Sequence, residues 1–282
     1  MAQIKPVAPL DVRPLFGPLH RELLMMLRTL APEDWQRQTR APRWTVADVV
    51  AHLTDTAIRR LSIDRDAHGS LKPDGPVIDN AGLTAFLDEQ NAGWVTASRR
   101  VSPRLLLELL DVVGRQLVDW FEAADLDAQA TFPVAWAGDQ ASAAWFDIAR
   151  EYTERWHHHQ QIAEAAQAPG LTARKYLYPV IDISMRALPY AYRHVPAPPA
   201  TAVTFEVTGE AGGAWTLVRD PDSWRLFAGS LPHVAAHVRV DQDTLWRMFF
   251  KQRTRDEVLG AMAVGGRTDL AHPFAGVLAV MA

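Results

Sequence analysis

The densest run of chemically capable side chains in this chain is Glu151-Tyr152-Thr153-Glu154-Arg155-Trp156-His157-His158-His159-Gln160-Gln161. If the run is helical, Glu154 and His158 stand four apart on one face, so a carboxylate oxygen and an imidazole nitrogen could hold the same ion. A third ligand has to come from elsewhere in the sequence. His52 lies in a helical strip with Thr45, Val49, Thr56 and Ile63, where a buried imidazole needs a partner. Together the three residues make a two-histidine, one-carboxylate set. Three protein ligands leave coordination positions open, as a catalytic rather than a closed structural site requires. Zinc is the first choice for such a set; nickel, iron and manganese remain open.

The helical wheel pulls the other way. Trp145, Ile148, Ala149, Tyr152, Trp156 and Ala163 form the obvious apolar face, and Glu154 and His158 project nearly opposite, beside Glu151 and Gln161. By pattern they belong on a wet surface, unless the helix is covered on two sides. His159 falls on the apolar side, as a satisfied core histidine, and His157 falls laterally. The chain has no cysteine, so thiolate ligands, cysteine nucleophiles and disulfides are excluded. Any thiol chemistry here needs a thiol from outside.

The elements that must position these residues can be read from periodicity and caps. Apolar residues recur at helical spacing from Leu15 to Leu30, and Pro32 stops them. Thr45 followed by Asp48 reads as a capping-box variant opening a helix past His52 to about Asp66. Gly69 to Pro76 is turn-rich. Helical patterns follow over Asn80 to Arg100, over Leu105 to Ala123 behind a Ser102-Pro103 start, over Ala143 to Ala166, and over Thr172 to Tyr192. Gly114 weakens the second of these only modestly. Asp125 to Ser142 is loop-like.

Pro196 to Pro199 marks a boundary, because proline at that density continues neither regular element. Beyond it the period shortens to that of strands, at Val203 to Val207, Trp215 to Val218, Trp224 to Phe227 and Val234 to Val240, with helical stretches near Asp243 to Phe250 and Asp269 to Met281. The expected architecture is α plus α+β: a helical bundle over 1–195, then a small α+β domain over 200–282.

Composition bounds the partners. With 282 residues, 48% of them hydrophobic, the chain can bury ample core, and a formal charge of only −4 without long single-sign blocks offers no electrostatic footprint for nucleic acid or an anionic membrane. No apolar run approaches the ~20 residues that span a bilayer, and the N-terminus lacks a signal-peptide core, so the expected location is cytoplasmic. The expected partner is a small-molecule substrate; a homodimer through bundle helices is left open.

Trp44-Thr45-Val46-Ala47-Asp48-Val49-Val50-Ala51-His52-Leu53, followed far downstream by Arg150-Glu151-Tyr152-Thr153-Glu154-Arg155-Trp156-His157-His158, resembles the mycothiol-dependent maleylpyruvate isomerase family. That family belongs to the DinB-like metal-binding bundles, whose topology is up-and-down. The resemblance implies that His52, Glu154 and His158 are the metal ligands, and that the tail from Thr201 is a sterol-carrier-like α+β domain. The match departs at Gln161, where relatives often carry aspartate.

The resemblance implies a divalent ion, zinc first, and a low-molecular-weight thiol such as mycothiol as cosubstrate. A thiol on the ion loses its proton at neutral pH, and the thiolate attacks an electrophilic carbon of a second substrate. In an isomerase the adduct rotates about the former double bond and expels the thiolate; in a transferase the product leaves. Arg219, Arg225, Arg239, Arg247 and Arg267 are candidates for a substrate carboxylate. Trp44 either walls the metal pocket or packs at the helix start, and packing is favoured. Two other classes stay in view: a metal-dependent hydrolase of the same bundle using bound water, and a non-catalytic protein holding an apolar ligand in its C-terminal domain.

Overall fold

Helix starts fall where capping chemistry puts them in the computed structural model, which describes residues 4–69 and 80–280. Both halves of the expected capping box form, Asp48 N–H donating to Thr45 Oγ1 and Thr45 N–H to the Asp48 carboxylate. Ser102 likewise accepts from Leu105 N–H ahead of Pro103. The turn-rich stretch expected after Gly69 lies outside the described residues. Two compact units result, each drawn from more than one stretch of chain.

The first unit spans Asp11–Thr131 and Ala143–Leu171 and is all-helical. Its helices are α1 (Arg13–Thr29), α2 (Val46–Arg60, continued by a π-helical turn over Leu61–Arg65), α3 (Asn80–Ser98), α4 (Pro103–Glu122) and α5 (Ala144–Ala166). Leu23, Leu27, Val49, Leu53, Leu110 and Ile162 meet in its core. Phe16 packs against Phe121 and Tyr152, at ring separations of 4.7 and 5.7 Å. Leucines three and four apart on α1 and α4 supply the stripe that drives this burial.

Met1–Leu10, Phe132–Ser142 and Thr172–Val280 form the second unit. A six-stranded sheet runs in the order β1-β4-β3-β2-β5-β6, from β1 (Lys5–Pro6), β2 (Ala202–Thr208), β3 (Gly213–Arg219), β4 (Trp224–Ala228), β5 (Ala236–Asp241) and β6 (Ala263–Gly266). Strands β2 and β5 pair in parallel, and the other neighbours are antiparallel. With it go α6 (Arg174–Met185), α7 (Leu188–Ala191), α8 (Gln242–Phe249), α9 (Arg255–Ala261) and α10 (Thr268–Ala271). The units therefore do not divide at the proline-rich segment. Asp182 on α6 accepts from Trp215 Nε1–H at 3.0 Å, and the Tyr192 ring meets Phe205 and Trp224, which tie 172–195 to the sheet.

The fold class is thus α plus α+β, as expected. Two helices differ from their pattern. The stretch Thr172 to Tyr192 breaks between Met185 and Leu188, ahead of Pro189, and the final helix stops at Ala271, where His272–Gly276 tightens to a 3-10 turn around Pro273. In both, proline removes a donor and obstructs the preceding turn. Among the described residues no helix is long and apolar enough to cross a membrane.

Gly114 has a steric reason to be glycine. A Cβ there would stand 2.2 Å from Cε1 of His20 and 2.6 Å from its Nε2. His20 is buried, its Nε2 has no hydrogen-bond partner, and burial, reinforced by the nearby Arg155 charge, pulls its pKa down to about 4.

Gly114→Ala is therefore expected to lower the melting temperature, although alanine is the better helix former by about 1 kcal/mol, because overpacking costs about 1–3 kcal/mol. The same change in a His20→Ala background should stabilise; an equal effect in both backgrounds would contradict the steric account.

The His20 imidazole also predicts acid sensitivity. A folded-state pKa near 4 against about 6.5 unfolded means that unfolding takes up a proton. This contribution is complete above pH 6.5 and is lost as pH falls toward 4, up to about 3 kcal/mol. Denaturant midpoints between pH 7 and 4.5 should fall more steeply in the wild type than in His20→Gln; parallel profiles would refute the assignment.

Candidate metal centre

Helix α5 is buried on nearly every side. From Phe146 to Ala163 only Arg150 and Glu154 keep intermediate exposure. The wet face suggested by the helical wheel does not exist: His158 is 7% exposed, and Glu151 and Gln161 are buried as well. His157 is buried rather than lateral. His159 is in the core as expected, but its Nδ1 has no hydrogen-bond partner, so it is not satisfied there.

The bundle places His52 and Glu154 each beside His158. The capping box fixes the start of α2, and His52 follows two turns in, its ring 4.8 Å from that of His158 at an interplanar angle of 71°. His158 Nε2 lies 3.9 Å from Glu154 Oε2, one turn back along α5. Trp44 packs on the bundle core, the reading favoured for it, and its ring lies 4.8 Å from that of His52 and 6.4 Å from that of His158. Gln161 Oε1 accepts from His158 Nδ1–H at 2.9 Å.

Burial sets the protonation states. It drives His52 well below the usual imidazole range, with His158 adding to the effect, and brings His158 to about 4. Both rings are neutral at pH 7, the form that ligates metals. Burial raises the Glu154 carboxyl to about 7, with Arg150 opposing and Glu151 adding. Glu154 retains 26% of its side-chain exposure, so solvent reaches it.

Among the described residues no group of three or more His, Asp or Glu side chains stands close enough together to hold a metal ion. One pair of donors is nevertheless close enough to share a divalent ion. Two ligands each about 2.0–2.2 Å from an ion stand no more than about 4.4 Å apart, and the Nε2–Oε2 pair is within that limit. His52 Nδ1 is buried without a hydrogen-bond partner, the kind of atom that a ligand or ion accounts for.

Next to these residues runs a charged seam that sequence reasoning missed. Arg60 on α2 pairs with Asp64 at 2.7 Å and with Asp147 on α5, and Arg150 meets Asp147 at 2.7 Å. Burial works against ionising Asp147, but Arg150 and Arg60 together hold its pKa below the usual range. Arg155, between Glu154 and the histidines in sequence, stands 3.5 Å from both Glu151 Oε1 and Thr56 Oγ1, and burial pulls its pKa down. The readable signal was the Glu151/Arg155 spacing of four.

The C-terminal arginines considered for a substrate carboxylate mostly face acids already. Arg225 pairs with Asp220, Arg239 with Glu206, Arg247 with Asp243 and Arg267 with Asp269, at 3.5, 3.2, 2.9 and 2.5 Å. Arg219 lies over the Trp224 ring.

The sequence matches the family model described as the mycothiol maleylpyruvate isomerase N-terminal domain over residues 16–163, which includes His52, Glu154 and His158. Among solved structures it is similar to the mycothiol-dependent maleylpyruvate isomerase, at 14% identity over 84% of this chain and 86% of that one, with a TM-score of 0.49. A mutant of that enzyme gives 13% identity over the same shares and a TM-score of 0.48. Sterol carrier protein 2 from Yarrowia lipolytica, in its apo form, aligns over 48% of this chain and 88% of its own, at 14% identity and a TM-score of 0.24. No curated protein matches the chain. Since the family model covers more than half of its length, the chain belongs to the mycothiol maleylpyruvate isomerase N-terminal domain family.

Proposed function

We propose that this protein is a metal-dependent enzyme that activates a low-molecular-weight thiol, mycothiol or one like it, for isomerisation of or S-transfer to a small electrophilic substrate. The supporting observation is that His52 and Glu154 each stand beside His158 in a buried bundle whose chain offers no thiol of its own. When bound, a divalent ion, zinc first, supplies the Lewis acidity that lets a coordinated thiol exist as thiolate near neutral pH.

The chain's own residues do the rest. His52 and His158, neutral because buried, present lone pairs without first having to lose protons. Glu154, with its pKa near 7, releases its proton as it becomes a ligand. Trp44 covers the His52 ring and limits access of water to it. In the isomerase reading the thiolate adds to one carbon of a conjugated double bond, and the electron pair moves onto the substrate's carbonyl. The resulting single bond rotates, and the pair returns as the carbon–sulfur bond breaks, regenerating both double bond and thiolate. Nothing is oxidised or consumed, so the thiol is catalytic; in a transferase it leaves with the product.

Maleylpyruvate isomerisation, measured with and without mycothiol and with zinc or chelator, is the direct test. Turnover should require both thiol and ion, and His52→Ala and His158→Ala should each lower it by more than the ~10–100-fold typical of losing an outer-shell partner. Turnover independent of thiol would favour the hydrolase reading. Full thiol-dependent activity in chelated protein would remove the metal from the account.

A further inference from the structure

We propose that Gln161 is the positioning residue of the metal centre, fixing the tautomer of His158 so that Nε2, and not Nδ1, faces the ion. The inference rests on the metal reading above and deepens it.

Gln161 follows His158 by three residues on α5, which places the two side chains on adjoining turns of one face. The amide oxygen can only accept, so the 2.9 Å contact requires the proton to sit on Nδ1 of His158. The lone pair is then on Nε2, the atom that stands 3.9 Å from Glu154 Oε2. Both partners are buried, at 7% and 6% exposure, so water does not compete for the bond. His52 and His159 are buried nearby without any partner on Nδ1. Among these three rings the orientation of only one is held by a side-chain hydrogen bond, and it is the ring beside the carboxylate.

The choice of an amide has a chemical consequence. A carboxylate in this place would push charge through the imidazole and make it a stronger donor to the ion. It would also add a negative group to a helix that already carries Asp147, Glu151 and Glu154. A neutral carbonyl holds the ring without either effect, so the ion keeps more of its positive charge for the group it activates.

The test uses the full chain and three readouts: zinc affinity by chelator competition, the ring tautomer of His158 by long-range nitrogen–proton NMR of the ion-free protein, and thermal melting. Wild-type His158 should be the Nδ1–H tautomer. Gln161→Leu should bind zinc roughly 10–100-fold more weakly and show mixed tautomers, and Gln161→Glu, which restores an acceptor of the same reach, should recover the affinity. An Nε2–H tautomer in the wild type overturns the proposal even if the leucine variant fails to fold. So does wild-type affinity in Gln161→Leu alongside loss of zinc in His158→Ala, an outcome that leaves the metal reading standing. Undiminished zinc binding in both His158→Ala and His52→Ala would instead remove the reading itself.

Discussion

Burial of helix α5, with its acids, arginines and histidines, is the condition on which the rest of this bundle depends. An unpaired charge inside a protein costs several kcal/mol, and three solutions operate along this one helix. At its N-terminal end opposite charges pair: Asp147 sits between Arg60 and Arg150. In the middle the pairing loosens, and Arg155 meets Glu151 only at 3.5 Å. Toward the C-terminal end charge is given up, and the histidines stay neutral. The candidate metal centre lies where pairing gives way to neutrality. A divalent ion there answers the same electrostatic problem, because it offsets the Glu154 charge and uses imidazole lone pairs that otherwise go unmatched.

Much of the frame was legible because it is written in local chemistry. Thr45 with Asp48 and Ser102 with Pro103 marked helix starts correctly, since a cap depends on residues within one turn of each other. The four main strands were visible as β-branched and aromatic runs between turn residues. Strand β6, Ala263-Val264-Gly265-Gly266, was not, because its place is set by pairing with β5 rather than by its own side chains. The last helix was overextended through Pro273, a residue whose effect on the preceding turn should have outweighed the apolar spacing.

The site was legible in a different way. Glu154 and His158 carried a spacing that permits chelation, yet the amphipathic pattern put them in water, because a helical wheel assumes that one face is wet. Helix α5 has no such face. Its polar residues are buried among those of α2, where Thr56 and Arg60 reach toward Arg155 and Asp147. No single-helix pattern contains that information. The motif around His52 named it as the candidate third ligand through the family resemblance, where periodicity could say only that a buried imidazole needed a partner.

Anomalous diffraction at the zinc edge from crystals of the zinc-loaded protein tests the central claim most directly. The account predicts one stoichiometric ion, coordinated by His52, His158 through Nε2 and a Glu154 carboxylate oxygen at about 2.0–2.2 Å, with at least one further position open. An ion bound elsewhere, or no ordered ion under saturating zinc, would contradict it.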